Sequence, residues 1–254
     1  MAFVMGTRWP EAGRRGPAAK NPKAERLNKV SKFKAFISLP VGRKILMGLT
    51  GVLLIGFLIV HMTGNLLVLA GPEAYNHYSH ALVSNPAIYA AEIGLLALFV
   101  GHLLLGIIVT LRNRAARPVP YAVKERAGHT SRKSLASTTM IYSGLVLLVF
   151  VPLHVWTFKF GPVYESSAAP GVRDLYRLVV EIFQSPGYVV GYILALIIIG
   201  CHAWHGFGSA FESMGVSHRA WLRNAGRVLT LVIIGGFLTV PIAVYFFHVG
   251  GGCS

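Results

Sequence analysis

Apolar residues fill five long runs of this chain, at about residues 44–70, 86–111, 134–158, 188–211 and 228–247. Each is about 20 residues or longer, the length an α-helix needs to cross a hydrocarbon core of about 30 Å. Polar and charged residues collect between the runs. The pattern predicts an all-α integral membrane protein with five transmembrane helices. Spans 1–4 are expected to form an up-down bundle, with span 5 peripheral. The 71–85 segment, GPEAYNHYSHALVSN, reads as a loop without Lys or Arg. Residues 159–187 are mixed, and a short amphipathic helix is predicted near Asp174–Phe183.

Residues 1–40 read as a basic segment preceding a membrane domain at 41–254. Pro10, Pro17 and Pro22 and a polar composition predict disorder over its first part. In AERLNKVSKFKAFIS (24–38), Leu27, Val30, Phe33 and Ile37 recur at helical spacing opposite lysines. That fits a short helix on a membrane surface or on a partner subunit, and a basic tail fits equally well. The first apolar run begins too late and is too long for a secretory signal.

Charge changes the picture by giving it a direction. All but three of the 24 Lys and Arg lie in residues 1–44, 112–133 and 219–227, and only Lys159, Arg173 and Arg177 lie on the other side. The positive-inside rule then predicts a multi-pass protein of the cell inner membrane, with its N-terminus cytoplasmic and its C-terminus outside. A net charge of +15 invites a nucleic-acid partner. Confinement of that charge to the loops of an apolar chain argues for membrane lipid and against nucleic acid.

Four spans carry a histidine: His61, His102, His154 and His202. An ionisable residue inside a span is costly and marks a candidate functional site. At about 1.5 Å per residue, His102 and His202 lie roughly 15 Å from the inner edge. His61 and His154 lie roughly 27 and 31 Å from it. In an up-down bundle, spans 1 and 3 face each other across one diagonal, and spans 2 and 4 across the other. His61 with His154 is thus an outer pair of candidate haem-iron ligands, and His102 with His202 an inner pair, so spans 1–4 surround two haems. Neutral imidazole suits iron, and two axial histidines leave an electron-transfer centre with no open position. Gly56, Gly64, Gly101, Gly106, Gly200, Gly206 and Gly208 flank these histidines; they would admit a flat macrocycle, or serve ordinary helix packing. No CxxCH occurs, and Cys201 and Cys253 are too few for a zinc site or a disulfide framework.

Two further residues are candidates. His205 shares a helical face with His202 but sits a turn deeper than His102, which suits a hydrogen bond to a propionate or quinone better than ligation. Glu92 lies ten residues outward of His102, roughly 15 Å. Buried there, it could exchange protons with a quinone; at a helix start it could equally sit among headgroups. Lys44, Thr50, Ser134, Ser137 and Ser209 are possible inner quinone or propionate contacts.

The runs KILMGLTGVLLIGFLIVHMTGNL in span 1 and CHAWHGFGSAFESMG in span 4, with DLYRLVVEIFQSPGYVVGY before the latter, resemble the cytochrome b subunit of succinate dehydrogenase or fumarate reductase, of the five-helix, two-haem type. The resemblance covers most of residues 40–248. It implies two haem b groups, held by His61, His102, His154 and His202, with the first histidine of the span 4 motif as ligand. It also implies a quinone (menaquinone or ubiquinone) and two partners of respiratory complex II, a flavoprotein subunit and an iron–sulfur subunit, in an assembly that can be a higher oligomer. The chain would be the electron-transfer subunit, with its basic loops docking the iron–sulfur protein. A two-haem quinone cytochrome of a nitrate reductase or hydrogenase and a haem-free transporter or scaffold are the competing readings.

Overall fold

The computed structural model describes residues 31–32, 34–116, 135–216 and 220–251. The basic segment 117–134, His129, His218, Cys253 and residues 24–30 of the proposed amphipathic stretch lie outside them. The chain divides into two compact units, Met1–Leu39 and Pro40–Ser254. In the first, residues 31–32 and 34–38 are helical.

The second unit holds seven α-helices among the described residues: α1 (Pro40–Leu66), α2 (Pro72–Ser84), α3 (Ala87–Ala115), α4 (Leu135–Lys159), α5 (Leu175–Gln184), α6 (Pro186–Ser213) and α7 (Ala220–Phe247). Five of them, α1, α3, α4, α6 and α7, are long and apolar enough to cross a membrane. The described part is therefore an all-helical multi-pass membrane protein. We call the end carrying α2 and α5 the outer end.

Helix α1 packs against α3 and α6, and α4 packs against α6 and, over a shorter seam, α3. These four close a ring whose diagonals are α1–α4 and α3–α6. Helix α7 lies outside the ring against α6 and α1. It is nevertheless the most buried of the five spans, because its Val240, Val244 and Pro241 also roof the outer core.

Small residues set the closest approaches, as expected where lipid offers no hydrophobic drive between helices. A Cβ added at Gly48 would lie 3.2 Å from both the Cα and the carbonyl oxygen of Ala210, so α1 and α6 touch there backbone to backbone. At Gly200 of α6 an added Cβ would lie 3.0 Å from the side chain of Ile234 of α7. Gly48→Leu is expected to wedge α1 from α6 and to cost about 1–3 kcal/mol, read as a lowered Tm of the detergent-solubilised protein. An unchanged Tm would show that this crossing tolerates bulk.

The 71–85 segment differs from its reading as a loop. Gly71 turns the chain at φ 102°, Pro72 opens α2 at its first turn and Glu73 follows, where a fixed φ and a negative charge favour a helix start. Tyr75 and Asn76 form its buried face. The expected amphipathic helix is present as α5, with Tyr176, Leu178, Val179, Val180 and Phe183 buried and Asp174 capping it through the Arg177 amide at 3.0 Å. Together α2, α5 and the ends of α6 and α7 build the main hydrophobic core, around Val68, Tyr75, Val180, Phe183, Val189 and Val244. The tightest packing therefore lies at the outer end.

Candidate functional site

Across the α1–α4 diagonal, the His61 and His154 rings stand 5.7 Å apart between centroids, crossed at 87°. Across the α3–α6 diagonal, the His102 and His202 rings stand 6.3 Å apart, crossed at 73°. All four side chains are half-buried. Their backbones do not meet: each pair is brought together only because both imidazoles project inward from opposed helices.

Two levels also emerge from contacts within the structure. Thr50 of α1 reaches the His102 ring and Ser143 of α4 reaches the His202 ring. Thr50 precedes His61 by eleven residues, and Ser143 precedes His154 by eleven. Eleven residues are three helical turns, so both members of each set share a face, about 16 Å apart along the axis. Each of α1 and α4 thus presents a hydroxyl at the inner level and a histidine at the outer one.

The two levels are lined differently. Phe57 stacks on His61 at 5.2 Å and Phe150 on His154 at 5.8 Å, each from four residues earlier on the same helix face. Phe158 and Tyr192 add to His154, and Phe237 of α7 approaches His61 at 5.7 Å. At the inner level the neighbours are small: a Cβ on Gly51 would lie 3.2 Å from His102 Cε1, and one on Gly144 would lie 3.9 Å from His202 Cε1. Span 5 was expected to be peripheral, and its Phe237 brings it onto His61 at the outer level.

Each ring has a polar neighbour on its Nδ1. Thr50 Oγ1 lies 3.1 Å from that of His102, Ser143 Oγ 2.8 Å from that of His202, and Tyr192 Oη 3.1 Å from that of His154. His61 has only the Asn65 amide nitrogen, at 3.4 Å. Asn65 is fixed from behind: it donates to the His61 carbonyl at 2.8 Å and accepts from the Tyr75 hydroxyl at 3.2 Å. Burial, with the neighbouring Tyr78, pushes the Tyr75 phenol up to about 12, so it remains a donor across the physiological range.

The pairs fit a six-coordinate haem by their chemistry. Two imidazoles bonded to opposite sides of one metal at about 2 Å each put their ring centres roughly 6 Å apart. Hydroxyls on Nδ1 leave Nε2 as the metal-binding atom of His102, His154 and His202, whereas the Asn65 amide lies near both ring nitrogens of His61, at 3.4 and 3.5 Å. Among the described residues no group of three or more His, Cys, Asp or Glu forms a metal cage; the imidazoles stand in two pairs. Gly56, Gly101 and Gly106 have open space where a Cβ would stand.

The remaining candidates lie elsewhere. His205 belongs to neither pair; it interacts with Glu212, seven residues on along α6. Glu92 forms an ion pair with Lys159 at the outer end, with its side chain 40% exposed. Its carboxylate is thus half-buried and already paired with a cation near the outer end of α4. Among the inner polar candidates whose side chains are described, Thr50 is brought onto a paired histidine; Ser134 and the side chain of Ser137 lie outside the described residues.

One cavity of about 830 Å³ opens between α4 and α6. Its walls are mainly aliphatic, including Leu145, Val149 and Ile198, and His154 and Tyr192 lie on its lining, with Thr157, Ser185 and Tyr188 as further hydroxyls. It touches the outer pair and not the inner one. Sequence reading missed Ser143, Tyr192 and the phenylalanines of the outer level. The eleven-residue spacing from Ser143 to His154 was available as a signal.

A curated relative, the succinate dehydrogenase cytochrome b558 subunit of Bacillus subtilis (strain 168), is 25% identical over 201 residues, covering 78% of this chain and 92% of that one. No family model matches the chain, and no solved structure matches it. The resemblance read from spans 1 and 4 therefore holds along most of the molecule: this five-span chain is similar to the cytochrome b subunit of succinate dehydrogenase.

Proposed function

We propose that this chain is the di-haem cytochrome b anchor of a succinate:quinone oxidoreductase, passing electrons between an iron–sulfur subunit and a membrane quinone. The observation that supports it most is the pairing of four histidines on the two diagonals of one bundle, at two heights. Haem, when bound, supplies one-electron redox chemistry at each pair. His61 and His154 hold the outer group, and His102 and His202 the inner one. The aliphatic and aromatic side chains of the bundle keep both levels out of water.

The remaining roles follow from position. The inner helix ends carry Arg43, Lys44, Arg112, Arg114, Arg223 and Arg227, whose charge suits an iron–sulfur subunit, with the flavoprotein subunit beyond it. The cleft between α4 and α6 suits a quinone: aliphatic walls for an isoprenoid tail, and the Tyr192 hydroxyl beside His154 for a ring carbonyl. Ligand entry from lipid fits an outer end closed by packed α2 and α5. The N-terminus is placed in the cytoplasm on the Lys and Arg asymmetry.

The test is a reduced-minus-oxidised spectrum of the complex purified with its partner subunits, alongside its haem-to-protein ratio. A b-type band, two haems per chain and reduction of that band by succinate are expected. Absence of a b-type band would overturn the reading. A band reducible through molybdenum or nickel partners, and not by succinate, would move the chain to the nitrate reductase or hydrogenase class.

A further inference from the structure

We propose that Thr50 and Ser143 are positioning residues for the inner pair: each holds its histidine as the Nδ1–H tautomer, turning the Nε2 lone pair into the bundle. This rests on the haem-ligand reading above and adds to it an assignment for two hydroxyls.

A hydroxyl beside an imidazole can either donate to it or accept from it. Here the hydroxyl hydrogens have another destination. Thr50 Oγ1 donates to the carbonyls of Leu46 at 2.9 Å and Met47 at 3.0 Å, within its own helix. Ser143 Oγ donates to the Met140 carbonyl at 2.9 Å. With its hydrogen committed along the helix, each oxygen is left to accept. The atom that faces it is Nδ1, at 3.1 Å in His102 and 2.8 Å in His202. In that arrangement Nδ1 carries the proton and Nε2 does not.

The arrangement is repeated across the bundle, with one hydroxyl from α1 acting on a histidine of α3 and one from α4 acting on a histidine of α6. The outer level lacks it. His154 has a phenol there, and His61 has an amide nitrogen at 3.4 Å, which is itself a donor. Donation from Nδ1–H makes an imidazole a stronger electron donor to its metal and fixes the ring plane. Loss of the acceptor therefore weakens the metal hold and raises the reduction potential of the bound group.

The experiment uses the whole complex with its partner subunits, with the inner haem assigned as the signal missing in His102→Ala. Thr50→Val keeps the shape of the side chain and removes the oxygen; Ser143→Ala does the same for the second site. Each is expected to raise the midpoint potential of the inner haem and shift its low-spin ferric resonance. Haem affinity at that level should fall roughly 10–100-fold, and the outer haem should be unchanged. Thr50→Ser and Ser143→Thr restore the hydroxyl and should restore potential, resonance and occupancy. Unaltered potential and resonance in Thr50→Val and Ser143→Ala at full haem content would overturn the proposal, as would failure of the hydroxyl-restoring variants to recover them. A wild-type complex without any b-type band would instead remove the haem-ligand reading on which it rests.

Discussion

Replacing His102 or His202 with alanine is expected to take the haem content of the complex from two per chain to one, with the outer spectral component intact. The reason is geometric. Each imidazole faces one partner only, His202 at 6.3 Å from His102, and the other pair stands about 16 Å away along the bundle axis. Removing one ring therefore leaves the outer level its full ligand set and its aromatic lining of Phe57, Phe150 and Phe237. His61→Ala and His154→Ala should produce the reciprocal loss. His205 is the natural substitute in the His202 variant, being three residues further along α6. It is rotated about 60° and displaced about 4.5 Å from the position that faces His102, so rescue is not expected. Two haems retained in His202→Ala would transfer the ligand role to His205. Loss of both haems with an unaltered melting profile would show that the levels are not independent.

What the sequence revealed and what it hid divide along a physical line. Apolar length, charge asymmetry and histidine depth are one-dimensional quantities, and the five spans and the two heights followed from them. Direction around a helix is harder to read. Glu92 has the depth of the outer level, yet its carboxylate pairs with Lys159 at the end of α4. Thr50 and Ser143 were obscure for a different reason: hydroxyls in membrane helices ordinarily bond back to their own carbonyls, and these two do that as well as touching a histidine. Only the shared eleven-residue interval to His61 and His154 marks them out. Helix α2 reads as a loop when 71–85 is judged by its missing Lys and Arg, while Pro72 and the buried Tyr75 and Asn76 carry the structural signal. The part played by Phe237 depends on how span 5 packs against span 1, which no local pattern encodes.

Asn76→Ala is expected to destabilise the outer end by about 2–4 kcal/mol, well beyond the usual cost of a polar surface change. Asn76 is 4% exposed, and it bonds at both ends of its amide. Its Nδ2 donates to Asp174 Oδ1 at 2.7 Å, and its Oδ1 accepts from the Tyr176 backbone N–H at 2.9 Å. Asp174 is in turn the cap of α5. Alanine leaves the Tyr176 N–H buried without its acceptor and takes a donor from the capping carboxylate. The loss should be visible as a lower Tm and as faster amide exchange over Tyr176–Val180. His77→Ala, an exposed neighbour on α2, should change neither. The effect should also reach the haem level on one side only. Phe183 of α5 contacts Tyr192 at 5.1 Å and Phe158 at 6.0 Å, and both of those rings touch His154. Loosening α5 therefore broadens or weakens the outer haem signal while the inner one, lined by Gly51 and Gly144, is preserved. Equal behaviour of Asn76→Ala and His77→Ala would mean that the outer end is held by its apolar core alone, with the amide bridge contributing nothing measurable.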